Sequence, residues 1–206
     1  MSLGYRLNLF RNVSVNADSW NNKNAFSTSR YWMEKPFLIL DSHQDKIIVK
    51  KKVWLDETYY SVMVKDAVLN DDDTKPRVLS KNKTCIGVAT DKTNAVIIAK
   101  GYGKPSQKMS YESFINHMEP HSTLVHDKES THKKLVKDSD LVSDAYSSKE
   151  LKGLEEIDNP LDPVNHTHYL VKRFLYAHGG FKRSQVQSYL NLYSFTLNPP
   201  VTNWRR

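Results

Sequence analysis

Val53-Trp54-Leu55-Asp56-Glu57-Thr58-Tyr59-Tyr60 is dense in aromatic and β-branched residues, has no Gly or Pro, and carries two acids in its middle. Such a run predicts a strand deep in a sheet. A carboxylate set among Trp54, Leu55 and Tyr59 is expensive to bury unpaired, so Asp56 needs an explanation. A bound cation is one; an ion pair or a hydrogen bond beneath a loop is the ordinary alternative. The strand-like stretch extends from Lys52 to Val64. Two more such runs, Cys85 to Thr90 and Asn94 to Lys100, are joined by Asp91-Lys92-Thr93, which reads as a hairpin turn. Three consecutive antiparallel strands are expected.

Downstream, Tyr111, Phe114, Ile115 and Met118 recur at helical spacing, predicting a helix from Ser110, its N-cap, to Met118. A short strand, Ser122 to His126, then delivers Asp127. Glu129 to Val136 is helix-compatible, and Lys137 to Asn159 is polar. Asp162-Pro163 opens a helix running to about Ala177 before Gly179-Gly180, and Ser184 caps a last helix whose buried stripe is Val186, Tyr189, Leu190 and Tyr193. This order of strands and helices is that of an α/β domain of RNase H-like type, a mixed sheet flanked by helices.

Upstream, Ser14 to Trp20 and Ser27 to Lys35 read as short helices around Asn21-Asn22-Lys23-Asn24, the second stopped by Pro36. The pair forms a short N-terminal helical, helix-turn-helix-like segment that would present Ser27, Thr28, Ser29 and Arg30 to DNA; a plain helical hairpin has the same pattern. The expected division is 1–48 as a partial helix-turn-helix-like DNA-binding segment, 49–200 as the catalytic domain, and 201–206 as a basic tail.

A chain of 206 residues with 39% hydrophobic side chains is long enough for one such domain with a substantial core. No 18-residue apolar run or signal-peptide pattern occurs, so no membrane partner is expected and the predicted location is cytoplasmic, nucleoid-associated in a bacterium. The single cysteine, Cys85, rules out an internal disulfide and a zinc ribbon and is expected to be a buried small hydrophobe. Of the net charge of +7, six positive charges lie between Val171 and Arg206, where there is no acid. A localised basic segment suits a polyanion, although a solvated helix face also fits. The acidic triplet Asp71-Asp72-Asp73 sits in a polar stretch and reads as solvated, because three successive side chains do not converge.

Phosphodiester cleavage or transfer needs an activated oxygen nucleophile and stabilisation of the leaving oxygen, and a pair of magnesium ions supplies both. Magnesium takes hard oxygen ligands and keeps several waters. Asp56 within one strand and Asp127 at the end of another are candidate ligands. Asn165 and Lys172, seven residues apart on one helix, return to one face. Asn165 offers a carbonyl oxygen and Lys172 a charge for a phosphate, with His168 on the same side. Each of these residues alone has an ordinary structural reading; together they favour a metal site.

Three strings carry a resemblance: Trp54-Leu55-Asp56-Glu57-Thr58-Tyr59; Lys75-Pro76-Arg77-Val78-Leu79-Ser80 leading into Cys85-Ile86-Gly87-Val88-Ala89-Thr90-Asp91; and Val164-Asn165-His166-Thr167-His168-Tyr169-Leu170-Val171-Lys172-Arg173-Phe174-Leu175. Over roughly residues 25 to 197 the chain resembles the ISXO-like DDE-type transposases of bacterial insertion sequences, in the subgroup with an Asp-Asp-Asn/Lys pattern. The resemblance implies a DNA transposase, a polynucleotidyl transferase that cleaves the element's ends and transfers the 3′-hydroxyl strand into target DNA. It implies a two-metal site for Mg²⁺ or Mn²⁺ held by Asp56, Asp127 and Asn165, with Lys172 catalytic beside them; Glu57 and His168 are auxiliary candidates from the residues alone. Double-stranded DNA, both element ends and target, is the implied partner. Arg30, Lys75, Arg77, Lys172, Arg173, Lys182 and Arg183 would contact its backbone, and a homo-oligomer would assemble on it. The chain departs from the family in lacking the N-terminal zinc ribbon and in carrying Lys128 and Tyr169 where Gly and Ser are usual. The alternative expectation is therefore a truncated, catalytically silent DNA-binding relic.

Overall fold

The computed structural model describes residues 23, 25–61, 82–128, 130–178 and 182–198. The helix expected at Ser14 to Trp20, the acidic triplet, Lys75, Arg77, Gly179-Gly180 and the tail at 201–206 lie outside the described residues. The chain builds α1 (Phe26–Leu40), β1 (Lys52–Ser61), β2 (Lys83–Thr90), β3 (Ala95–Tyr102), α2 (Gln107–Phe114), β4 (Thr123–Asp127), α3 (Lys133–Asp138), β5 (Val142–Tyr146), α4 (Ser148–Leu151), α5 (Asp162–Ala177) and α6 (Val186–Leu197). The strands form one sheet in the order β3-β2-β1-β4-β5. The first three pair antiparallel, while β4 lies parallel to β1 and β5 parallel to β4. That mixed order, with helices on both faces, is the RNase H-like arrangement.

Alternation along the strands sorts the core into two layers. Trp54, Ile86, Val88, Ile97 and Val125 pack with Val164, Val171 and Leu175 of α5 and with Val186 and Leu190 of α6. Val53, Leu55, Ala89, Val96 and Leu124 pack with Phe114 of α2 and Leu135 of α3. Because side chains alternate with period two, Asp56 follows Trp54 toward α5, and Glu57 follows Leu55 toward α2 and α3. Cys85 is free and fully buried, as expected. The hairpin at residues 91–94 forms as read, with the Asp91 N–H donating to the Asn94 carbonyl at 2.9 Å.

The elements differ from expectation in four places. Pro36 does not stop α1, which continues to Leu40. Proline forfeits one helical hydrogen bond, and here burial of Leu40 in the core, with Trp32 and Phe37 packed against it, offsets that loss. The helix expected from Ser110 starts a turn earlier: Ser106 caps it by accepting from the Met109 N–H, and Ser110 is buried inside it. The last helix begins at Val186 after a short 3-10 turn, Arg183–Gln185, rather than at a Ser184 cap. β5 was read as part of a polar segment. It is an edge strand with no fully buried residue, and its ladder with β4 rather than apolar content makes it a strand.

Candidate active site

β1 and β4 run parallel with Leu55 opposite His126, and Asp56 and Asp127 are the next residues along each strand. Both acids line a cavity of about 220 Å³ with Glu57, Tyr59, Lys104, Pro105 and Thr131. Their side chains are 23% and 29% exposed, enough to reach solvent through the cavity. Asp56 Oδ1 accepts from the Glu57 N–H at 2.8 Å. Burial, reinforced by the negative charges of Glu57 and Asp127, pushes its carboxyl up to about 7 despite that bond and the opposing influence of His132. The donor set suits a hard divalent cation: two carboxylates line one cavity, and a cation there would offset both the burial and the neighbouring negative charges that raise Asp56. Asp56 and Asp127 offer oxygen donors of the hard kind that magnesium takes.

The α5 side chain that reaches Asp56 is His168. Its Nδ1 lies 4.0 Å from Asp56 Oδ2 and its Nε2 lies 3.4 Å from the Asp56 carbonyl oxygen. Burial is the main force lowering its pKa to about 4, so the ring is neutral at pH 7. Asn165 stands in the first turn of α5 and is exposed; Lys172, one turn beyond His168, is half-buried. Arg173 is exposed, with its guanidinium 5.6 Å from the Tyr169 ring centroid. Lys182 is exposed, and Arg183 stacks 3.2 Å over the Tyr102 ring. Arg30 is exposed on α1 and ion-paired to Glu34 at 3.0 Å.

On the opposite face of the sheet lies a charged network of which sequence reading named only Glu57. The Glu57 side chain is only 7% exposed and pairs with the Lys100 ammonium, whose side chain is fully buried. Glu57 Oε1 also accepts from His132 Nε2 at 3.0 Å, and Lys100 donates to Ser110 Oγ at 2.5 Å. Burial alone would raise the Glu57 carboxyl, but His132 and Lys100 together hold it down to about 2. His126 joins this group. Its Nδ1 is 3.2 Å from His132 Nδ1 and 2.5 Å from the Asp127 carbonyl oxygen, and its Nε2 is 2.9 Å from Ser143 Oγ. Burial lowers the His126 pKa to about 4. The available signal was Lys100 alone in the apolar run of β3, on a sheet whose β1 carries a second acid.

No protein-family model matches the chain, and no curated protein matches it. Among solved structures it is similar to a chain of the simian T-cell lymphotropic virus intasome in complex with PP2A regulatory subunit B56 gamma, at 10% identity and a TM-score of 0.44, covering 98% of this chain and 76% of that one. It is also similar to the Mos1 strand transfer complex, at 14% identity and a TM-score of 0.39 over 78% of this chain and 52% of that one. A pre-cleavage Mos1 transpososome matches at 10% identity and a TM-score of 0.40, over 85% and 65%. The chain thus spans about half the length of the Mos1 chain in the strand transfer complex. Among the described residues no helix is long and apolar enough to cross a membrane.

Proposed function

We propose that this chain is a metal-dependent DNA transposase of the DDE type, of the ISXO-like insertion-sequence kind, acting on double-stranded DNA at element ends and target. The observation that supports the reading is that Asp56 and Asp127, from neighbouring parallel strands, line one cavity. In this reading Asp56 and Asp127 hold Mg²⁺ or Mn²⁺, and Asn165 completes the set from α5. Bound there, the ions supply positive charge to the attacking and leaving oxygens of a phosphodiester. His168 positions Asp56 from below, while Lys172 neutralises a phosphate flanking the scissile bond. Arg30, Lys75, Arg77, Arg173, Lys182 and Arg183 contact the DNA backbone without reading sequence. Residues 1–48 add DNA contact, 49–200 form the catalytic unit, and copies assemble on the two ends, near the nucleoid.

The test is incubation of the full chain with duplex DNA carrying its flanking repeats, with and without Mg²⁺ or Mn²⁺. Divalent-dependent cutting at the repeat ends is expected. Asp56→Ala should lower it by about 10³-fold or more, since the lost charge stabilisation amounts to several kcal/mol at 1.36 kcal/mol per decade. DNA binding without cutting would overturn the catalytic reading in favour of a silent relic; cutting without regard to the repeats would indicate a general nuclease.

A further inference from the structure

We propose that His126, His132 and Asp127 form a binding site for a borderline transition-metal cation of the Zn²⁺ class, distinct in ligand chemistry from the magnesium position and sharing only Asp127 with it.

The three ligand atoms lie within 4.8 Å of one another. The two ring Nδ1 atoms face each other at 3.2 Å, and His132 Nδ1 stands 3.5 Å from Asp127 Oδ1. Zinc bonds of about 2.0 to 2.1 Å at a tetrahedral angle put neighbouring ligand atoms about 3.3 to 3.4 Å apart, so both separations match one edge of such a site. Two imidazoles beside a carboxylate are a donor set that zinc takes readily, the imidazoles being donors that magnesium avoids.

The atoms behind the ligands are arranged as a metal site requires. Glu57 Oε1 accepts from His132 Nε2, which leaves the His132 Nδ1 lone pair facing the cluster, the carboxylate–histidine–metal relay that fixes a ligating ring. Ser143 Oγ stands 2.9 Å from His126 Nε2 and accepts its proton when Nδ1 binds a cation. In the metal-free protein a proton on His126 Nδ1 serves instead, shared between the Asp127 carbonyl and His132 Nδ1. The cation replaces that proton, and the His126 tautomer reverses. An independent sign comes from Thr131, which adjoins His132 and lines the same cavity as Asp127. It is a buried side chain whose hydroxyl has no hydrogen-bond partner among the described residues. A hydroxyl so placed can bond a water or hydroxide in the fourth coordination position, the open position that separates reactive zinc sites from structural ones.

The test uses the full chain stripped with a chelator, with Zn²⁺, with Co²⁺ as the visible probe, and with Mg²⁺ for comparison. One ion per chain should bind, with the intense Co²⁺ absorption of a four-coordinate site, displaced by Zn²⁺ and not by Mg²⁺. His126→Ala and His132→Ala should each weaken binding about 100-fold, and Glu57→Gln about 10- to 100-fold through the ring it orients. Asp56→Asn should leave it unchanged. Should the histidine variants fail to fold, long-range proton–nitrogen spectra of the unmutated chain decide: Zn²⁺ should shift both Nδ1 resonances and move the His126 proton to Nε2. Unmoved ring resonances, or Zn²⁺ affinity indifferent to both histidines, would overturn the proposal. Zinc bound in this way without magnesium-dependent cutting would overturn the transposase reading and leave this site standing.

Discussion

A Cβ at Gly87 would meet Lys100 Cδ at 2.7 Å and the Phe114 ring at 2.8 Å. Gly87 lies opposite Glu57 in the β1–β2 ladder, so its missing side chain is the space through which Lys100 crosses the sheet. The register shift between Cys85 and Ile86 helps, because it leaves Lys100 as the extra residue of a bulge and re-aims its side chain. Gly87→Ala should therefore destabilise the fold by about 1–3 kcal/mol through overpacking. It should also be strongly non-additive with Lys100→Ala, since truncation before Cδ removes that contact; additive losses in a urea-unfolding cycle would show that the two do not share that space. At this scale the sequence spoke through Asp56, because an acid inside an apolar strand is anomalous by itself. Lys100, His126 and His132 were silent, and Glu57 was named only as an auxiliary, because each makes sense only beside partners up to 75 residues away, and no local pattern encodes that pairing.

The hairpin between β2 and β3 is held by one carboxylate. Asp91 Oδ1 accepts from the N–H groups of Thr93 at 2.6 Å and Asn94 at 2.7 Å, and Oδ2 accepts from the Lys50 N–H at 3.0 Å, tying the turn to the approach to β1. Partial burial would raise this carboxyl, but the three backbone donors outweigh it and hold it below its usual value. A folded-state pKa below the unfolded value of about 3.9 gives stability that is present above that value and lost as pH falls through the folded one. Asp91→Asn should thus lower the unfolding free energy at pH 7, by about 1 kcal/mol given the solvent screening of a half-exposed group. The gap between variant and parent should close below about pH 4; a gap independent of pH would mean that charge is not what the turn uses. The turn was legible because an Asp at a turn start bonds its own backbone two and three residues on. β5 was not, because Val142-Ser143-Asp144-Ala145-Tyr146 lacks an apolar face and owes its conformation to the β4 edge. Ser110 misled for a related reason: it has a cap residue's chemistry but spends its hydroxyl on Lys100.

Across the whole molecule, the stretch after α1 and the C-terminal helix α6 with Asn198 meet on the free edge of β3. The outward N–H groups of Ala95, Ile97 and Ala99 donate to side-chain carbonyls of Asn198 at 2.8 Å, Gln44 at 2.7 Å and Gln187 at 2.8 Å. Gln44 returns a bond to the Ile97 carbonyl at 2.8 Å and another to Asn191 Oδ1 at 2.7 Å, so α6 and the stretch after α1 are stitched through it. An unpaired edge invites pairing with another chain, and here three amides close it without adding a strand. The order of sheet elements was readable because hydrophobic alternation and turn residues are local; this closure was not, since it joins residues 53 to 147 positions apart. Removing one amide leaves a buried N–H unsatisfied, at about 1–3 kcal/mol. Gln187→Ala should therefore speed hydrogen exchange at Ala99 selectively, while replacing Gln44, Gln187 and Asn198 together by Ala should make the chain associate in a concentration-dependent way under light scattering. A triple variant that stays folded and as monodisperse as its parent would mean that the amides are mere passengers on an edge protected by the packing of α6.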